Sequence, residues 1–367
     1  MRYIDRVPGG ESDLRCAGSP GVGATGGHGL VVGVDTGGTA NNVTVLDTAG
    51  RFLIDRMVES PSRVAEGPAA ALDALRAAFH GALAFVAADR GDILAVGLAT
   101  PGPASATGVL SSAGSTNFSA PEWHGFDIRG ALEERLGLPV VYNNDGNAAA
   151  LYAHRTHFAA ASGERSSVSA VVGTGLGGGL VEAGRVVRGG AGMAGELGHV
   201  HIPLAGLLEA DQPEPMCNCG FVGDAESIAS LTGIERNLLP YWLARYPHHE
   251  LGDVPSRKEA ARAVRGLGER GDPVALRIFE QQAMAVGRLF TICANVLDPS
   301  AYFLGGGVVE AAPDFRHWFT DRVRHHTALR AEQRGVTFGL VPDRDMAGAR
   351  GAALDALNVV RTGQQLH

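Results

Sequence analysis

The sequence predicts an α/β protein of two similar lobes with a ligand cleft between them. Three observations carry this reading. The run "LVVGV" is short, continuous and β-branched, as expected of a buried central strand. Alanine- and leucine-rich segments of helical period separate such runs. Most informative, a unit of strand, glycine turn, strand, turn and strand occurs twice. It reads "LVVGVDTGGTANNVTVLDTAGRFLIDRMVES" from Leu30 and "SSVSAVVGTGLGGGLVEAGRVVRGG" from Ser166.

The elements follow in order. Residues 1–28 are rich in Gly, Ser and charge without periodicity, which predicts a disordered leader containing an idle Cys16. The first lobe spans residues 29–145. Its opening unit turns at Asp47–Gly50, and a helix is predicted from Pro68 to about Arg90. "ILAVGLATPGP" then reads as a strand ended by a proline turn, "PVVYNND" as another strand, and "GNAAALYAHR" as a helix starting after Asp145. The second lobe spans residues 146–345, with an insertion at 196–230. Beyond its repeated unit, Ser256 and Glu259 form a capping-box signature, and a helix from about Val274 to Leu297 is closed by Asp298-Pro299. The strand "AYFLGGG" follows, and a last helix, 346–362, is assigned back to the first lobe.

A chain of 367 residues fits two lobes, and 45% hydrophobic with 19% charged residues describes a soluble protein with ample core. The net charge of −8 argues against a nucleic-acid surface but leaves open a small anion held by backbone amides. Lys258 is the only lysine, so a lysine-centred mechanism has one candidate, in a charged helical stretch. Four cysteines are too few and too unevenly spaced for a disulfide framework. The start "MRYIDRVPGGESDLR" has no apolar signal core, and no apolar run approaches about 18 residues. A reduced, cytoplasmic setting with no membrane partner is expected.

Three glycine loops stand out. "DTGGT" places Asp35, Gly37, Gly38 and Thr39 in the first turn. "GTGLGGG" places Gly173, Thr174, Gly175 and Gly177 in the equivalent turn of the repeat. Gly305, Gly306 and Gly307 follow a late strand. One such turn alone is an ordinary hairpin. Two at equivalent positions of a repeat would let backbone N–H groups hold a polyphosphate from both sides. Asp35 and the hydroxyls of Thr39 and Thr174 suit hydrated Mg²⁺ and phosphate oxygens, and the third loop would admit a nucleoside base. The chain has neither a GxxxxGK[ST] loop nor a dinucleotide fingerprint, so an oxidoreductase of the Rossmann type is a poor fit.

In order, "GVDTGGT", "NNDGNAAAL", "GTGLGGGLVEAGRVVRGGAGMAGELGH", "CNCGFVGDAES" and "FLGGG" resemble the ROK family of sugar kinases and related repressors. The resemblance runs from about Leu30 to Leu357. It implies a two-lobed actin-like ATPase (ribonuclease H-like) fold with duplicated lobes, ATP and Mg²⁺ as cofactors, and a hexose or hexose-like polyol as acceptor. Asp145, at the end of an apolar strand and before a helix, matches the family's catalytic aspartate and would be the general base. Asn117, Asn144, Glu196, His199 and Glu226 match sugar-contacting positions; amides and carboxylates read hydroxyls better than apolar groups. A homodimer or tetramer is implied. The repressors of the family carry an N-terminal winged helix of several tens of residues, for which the roughly 28 residues before the first strand are too few.

"CNCGFVGDAES" remains two-sided. C-x-C lacks the spacing of a redox pair. It is either a bare turn or, with His199, Cys217, Cys219 and Asp224, an N, S, S, O clip for Zn²⁺. The family's third cysteine is usual about where Asp224 stands, and the spacer "VHIPLAGLLEADQPEPM" is longer than usual. Both departures lie beside the expected sugar pocket and favour a specialised acceptor, such as an amino sugar or a carbocyclic (C7-cyclitol) analogue of secondary metabolism.

Overall fold

The computed structural model describes residues 29–102, 104–110 and 117–363, so the expected leader and Cys16 lie outside the described residues. The first sheet is built from β1 (Leu30–Thr36), β2 (Ala40–Asp47), β3 (Val58–Pro61), β4 (Ile93–Thr100) and β5 (Val140–Asn144). Helix α1 (Pro68–Val86) precedes β4, α2 (Ile128–Leu136) precedes β5, and α3 (Asp145–Phe158) follows β5. The second sheet contains β6 (Ser166–Val172), β7 (Leu176–Glu182), β8 (Arg185–Val186), β9 (Ala301–Gly306) and β10 (Thr337–Leu340). Between β8 and β9 lie α4 (Glu226–Ala229), α5 (Leu231–Gly233), α6 (Leu239–Arg245), α7 (Arg257–Glu269) and α8 (Pro273–Leu297). Helix α9 (Pro313–His326) precedes β10, and α10 (Arg344–Thr362) ends the order.

The two sheets share one topology. The first has strand order β3-β2-β1-β4-β5 and the second β8-β7-β6-β9-β10. In each, the first two strands are antiparallel and the first pairs in parallel with the fourth. The duplication read from the two hairpin units is therefore a duplication of the whole sheet.

The helices that follow each last strand cross over. Helix α3 leaves β5 of the first sheet and packs on β6 and β7 of the second, while α10 leaves β10 and packs on β1, β2 and β4 of the first. The two helices also pack on each other, through faces rich in alanine and glycine. Gly33 and Gly97 are register partners on β1 and β4, and a β-carbon at either would overlap the α10 backbone at Ala349 or Ala352. Gly351 of α10 meets the Ala148 carbonyl of α3 in the same way. Small residues thus let the two helices share the narrow space between the sheets.

Several element ends differ from expectation for local reasons. After the Asp47–Gly50 turn, Phe52 makes only an isolated bridge to Leu46; Ile54 then dives into the core, and the third strand forms at Val58. Helix α1 stops at Val86, because Ala87 takes a left-handed conformation (φ 53°). Among the described residues α1 alone is long and apolar enough to cross a membrane by length and composition. Its Leu72, Leu75, Phe79 and Leu83 are core residues, and Asp73 on its outer side pairs with Arg135. The "GLGGG" run is not a loop beyond Gly175: Gly177, Gly178 and Gly179 are strand residues of β7.

The long spacer after His199 is folded, not slack. Gln281 of α8 donates from Nε2 to the Leu207 carbonyl (3.0 Å) and to Gln212 Oε1 (2.6 Å), and its own Oε1 accepts from the Trp242 indole (2.9 Å). Arg288, about two turns further along α8, donates to the carbonyls of Pro203 and Ala205.

The α3–α10 crossing predicts a specific sensitivity. Gly351→Val forces a branched side chain into the Ala148 backbone, which cannot move away without moving α3, and should cost at least about 2–3 kcal/mol. Chemical denaturation measures this; a loss below about 0.5 kcal/mol would contradict the packing described.

Candidate active site

Strand β5 ends at Asn144, and α3 begins at Asp145. The helix cap is Asn144, whose Oδ1 accepts from the Asn147 amide at 2.7 Å, so Asp145 is not spent on capping. Asp145 Oδ1 accepts from the Gly146 amide (2.7 Å), and Asn144 Nδ2 donates to Glu196 Oε1 (3.2 Å). Gly146 lies against β7, where a β-carbon would come 2.6 Å from the Gly178 carbonyl oxygen. The start of α3 is thereby wedged beside the strand that follows the second glycine turn.

That turn, Gly173–Gly175, is closed by Gly173 N–H donating to the Gly175 carbonyl at 2.9 Å. Its outer carbonyls are held by α5: Leu231 N–H donates to Gly173 (2.9 Å), and the Thr232 hydroxyl donates to Thr174 (2.8 Å). The first turn, Gly37–Thr39, is closed by Gly37 N–H on the Ala40 carbonyl (2.8 Å). Asp35 fits beside it because residue 348 of α10 is glycine; any β-carbon there would overlap the carboxylate. Among the described residues neither Asp35 nor Asp145 pairs with a cationic side chain. Asp35 and Asp145 are coupled electrostatically, and carboxylates coupled in this way without a cation have the chemistry to accept a divalent ion.

The remaining polar residues come from three segments. Asn117 lies against Gly38, where a β-carbon would sit 2.7 Å from its Oδ1. Glu196 stands immediately before the 3₁₀ turn Leu197–His199 that carries the histidine. Glu226, the first residue of α4, lies against Gly175; its Oε2 accepts from the Leu176 amide at 2.8 Å, and its Oε1 from the Cys217 thiol at 3.4 Å. The second glycine turn and the cysteine turn therefore meet at one carboxylate.

His199, Cys217, Cys219 and Asp224 converge, with ligand atoms all within 4.8 Å of one another. His199 Nδ1 lies 3.3 Å from Asp224 Oδ2 and 3.9 Å from Cys217 Sγ, and Cys219 Sγ lies 3.6 Å from the same carboxylate oxygen. Tetrahedral zinc with bonds of about 2.0–2.3 Å separates its ligand atoms by roughly 3.3–3.8 Å, so the set fits the ion with small adjustments. Asp224 has a second duty: its Oδ1 accepts from the Ser227 amide (2.9 Å) and so fixes the start of α4 beside Glu226. Asp224 draws the His199 imidazole up to about 9, and burial pushes the Cys217 thiol well up, so metal entry would have to displace both protons.

A cavity of about 410 Å³ opens beside the second turn. Gly173 and Thr174 line it, together with the apolar Leu231, Ile234, Phe279 and Val308. Of the third loop only Gly307 reaches it; Gly305 is buried against Val341 and Val171, and Gly306 (φ 83°) packs on Val172. Two groups escaped the sequence reading. Arg188, in the segment just after β8, pairs with Asp355 of α10 and donates to the Tyr142 carbonyl (2.5 Å), tying that segment to β5 and α10. Gln282 and Phe279, three apart on α8, line the cavity, and nothing in an apolar helix marks them.

Residues 31–358 match the ROK family. A glucokinase of Streptomyces coelicolor is 30% identical over 343 residues, spanning 87% of this chain and 98% of that protein. The ROK hexokinase of Thermus thermophilus superposes with a TM-score of 0.71 at 32% identity, covering 91% of this chain and all of that one (100%). A ROK family glucokinase of Streptomyces griseus, solved with glucose and AMPPNP, gives a TM-score of 0.63 at 30% identity, covering 90% and 100%.

The electrostatics of the cleft oppose stability. Burial, and then Glu196, raise the Asp145 carboxyl to about 6; burial, and then Asp145, raise Asp35 to about 7. Desolvation also raises Glu196. A carboxyl whose pKa is higher folded than unfolded binds more protons in the folded state, so its contribution to stability falls as pH rises from about 4 through about 6. Asp145→Asn keeps the acceptor for Gly146 and removes the charge. It should raise the thermal midpoint of the ligand-free protein at about pH 8, with the gain shrinking toward about pH 4. An unchanged or lower midpoint at the higher pH would contradict this.

Proposed function

Because the chain belongs to the ROK family, we propose that its cleft transfers the γ-phosphoryl group of ATP to a hydroxyl of a hexose or hexose-like polyol, with Asp145 as general base. The observation that carries this is the position of Asp145. It stands at a strand end, raised toward neutrality, coupled to Asp35, which lies in β1 just before the first glycine turn and not in the turn itself, and to Glu196 of the polar cluster. A base of that pKa is mostly ionised at neutral pH yet still basic enough to take a hydroxyl proton as the bond to phosphorus forms.

In this reading the base of ATP enters the cavity beside Gly173, and the phosphates lie between the amides of Gly37–Thr39 and Gly173–Gly175. Mg²⁺ bound with the nucleotide would supply charge neutralisation at the phosphates, and Asp35 is the residue that would hold it. Asn117, Asn144, Glu196, His199 and Glu226 hold the acceptor's hydroxyls. The hydrogen bond from Asn144 to Glu196 and its cap on α3 fix both groups relative to Asp145. Zinc on His199, Cys217, Cys219 and Asp224 would tie the turn carrying Glu226 to His199 and do no chemistry itself.

One observation favours a specialised acceptor, an amino sugar or a carbocyclic polyol, over glucose. The extended spacer is a folded unit on α8, and its second residue, His201, makes a backbone bridge to Asp224 of the cysteine turn. A panel of hexoses, amino sugars and cyclitols assayed with ATP separates these acceptors. The wild-type enzyme should use at least one, and its kcat/KM should fall as pH drops through about 6, as Asp145 takes up its proton. Asp145→Asn should lower kcat roughly 10²–10⁴-fold with little change in sugar affinity. Near-normal turnover by that variant would overturn the assignment of the base.

The metal is tested separately. Protein purified without chelator should contain close to one zinc per chain by elemental analysis, and Cys217→Ser or Cys219→Ser should lose it. Zinc-free protein of full activity would show the turn to be held by Asp224 and its hydrogen bonds alone.

A further inference from the structure

We infer that Arg188 is a positioning residue for the transfer, holding Asp145 and Glu196 in one fixed relation across the two lobes. This rests on the reading of Asp145 as the general base and of Glu196 as a contact to the acceptor.

Arg188 follows β8 of the second sheet, and its guanidinium reaches the first lobe. Nη1 donates to the Tyr142 carbonyl of β5 at 2.5 Å, and Nη2 pairs with Asp355 of α10. The same Asp355 oxygen accepts from Asn143 Nδ2 at 3.0 Å, and Asn143 Oδ1 accepts from the Asn144 amide at 3.1 Å. Arg188 thus holds Tyr142 directly and Asn143 through Asp355, the strand residues that lead into Asp145. The other end of the grip is Glu196, which receives Asn144 Nδ2 at 3.2 Å and lies on the loop that Arg188 opens. That loop folds back on itself, the Ala194 amide donating to the Arg188 carbonyl at 3.2 Å. It also lies hard against the first lobe: a β-carbon at Gly192 (φ 81°) would come 2.3 Å from the Ala106 amide nitrogen. The contacts therefore close a ring, from Arg188 through β5 to Glu196 and back along the loop.

The charge balance of the pair points to geometry as its purpose. Asp355 is 8% and Asn143 3% exposed. Burial leaves the Asp355 carboxyl raised above its usual range in spite of Arg188 and Asn143. A desolvated ion pair of this kind contributes little net stability, and apolar residues of similar size would serve folding as well. What an apolar pair lacks is direction. A planar guanidinium sets two acceptors at a fixed angle, which the point charge of a lysine does not. Proton transfer is sensitive to that, since displacing a reacting group by about 1 Å costs roughly a hundredfold in rate.

The test is steady-state kinetics of the full chain with ATP and its best acceptor, on variants that circular dichroism shows to be folded. Arg188→Ala should lower kcat roughly 10- to 100-fold and raise the acceptor KM, leaving the ATP KM within about threefold of wild type. The Arg188 side chain is 32% exposed, so a small guanidinium ion can enter from solvent. Methylguanidine, at concentrations too low to unfold the protein, should restore part of the lost kcat, and sodium chloride at the same concentration should not. Arg188→Lys keeps the charge without the fork and should lose kcat several-fold; it carries the test if the alanine variant does not fold. Three results would each overturn the inference while the kinase reading stands: a folded Arg188→Ala with kcat within about twofold of wild type, a loss that methylguanidine leaves unchanged, or Arg188→Lys with full kcat. Normal turnover by Asp145→Asn would instead overturn the reading on which it rests.

Discussion

The close stacking of α10 on the glycine pair of β1 and β4, and of α10 on α3, is the constraint on which the rest of the molecule depends. Each sheet lends its last helix to the other, so the lobes are joined by two helices crossing between them. With side chains at Gly33, Gly97 or Gly351 the sheets would have to separate. The site sits at this crossing. Asp145 is the first residue of one crossing helix, Gly348 of the other leaves room for Asp35, and Asp355 of the latter anchors Arg188 beside β5. Lobe packing and the geometry of the candidate site are the same set of contacts.

The chemistry of the cleft follows from charge left unbalanced. Asp35, Asp145 and Glu196 are gathered in a desolvated space and raise or suffer raised pKa values. Elsewhere the molecule pairs its charges in the ordinary way, as Glu280 does with Arg322 and His326. Asp35 and Asp145 pair with no cationic side chain among the described residues, and gathering them beside two amide-rich turns is costly in the empty protein. Stability is given up where binding and proton transfer need it.

Much of this was legible in the sequence wherever the signal is local. The two glycine turns, the strand end at Asn144-Asp145, the capping Ser256 and the C-x-C turn each announce themselves within a few residues, and their order carries the family resemblance. The duplicated hairpins foretold the duplicated sheets. Glycines were harder, because the same residue serves two purposes: Gly37 and Gly173 open turns, whereas Gly178 and Gly179 are strand residues kept small, Gly178 for Leu197 and Gly179 for α3. Boundaries failed where a single residue decided them, as with left-handed Ala87 ending α1 and Ile54 pulling the chain out of the first sheet. Long-range partners were invisible. Arg188 and Asp355 are 167 residues apart, and Gln282 looks like any polar residue on a buried helix until its carbonyl oxygen is found without a partner.

The central claim is that Asp145 faces the reacting hydroxyl at the meeting point of the two lobes. The most direct measurement is a crystal structure of the protein with an accepted sugar and a non-hydrolysable ATP analogue. The account predicts one sugar hydroxyl within about 2.6–3.2 Å of the Asp145 carboxylate, aligned with the γ-phosphorus, and the phosphates lying between Gly37–Thr39 and Gly173–Gly175. A complex in which the sugar rests on Glu196 and Glu226 with every hydroxyl out of reach of Asp145, or in which the phosphates avoid both turns, would contradict it.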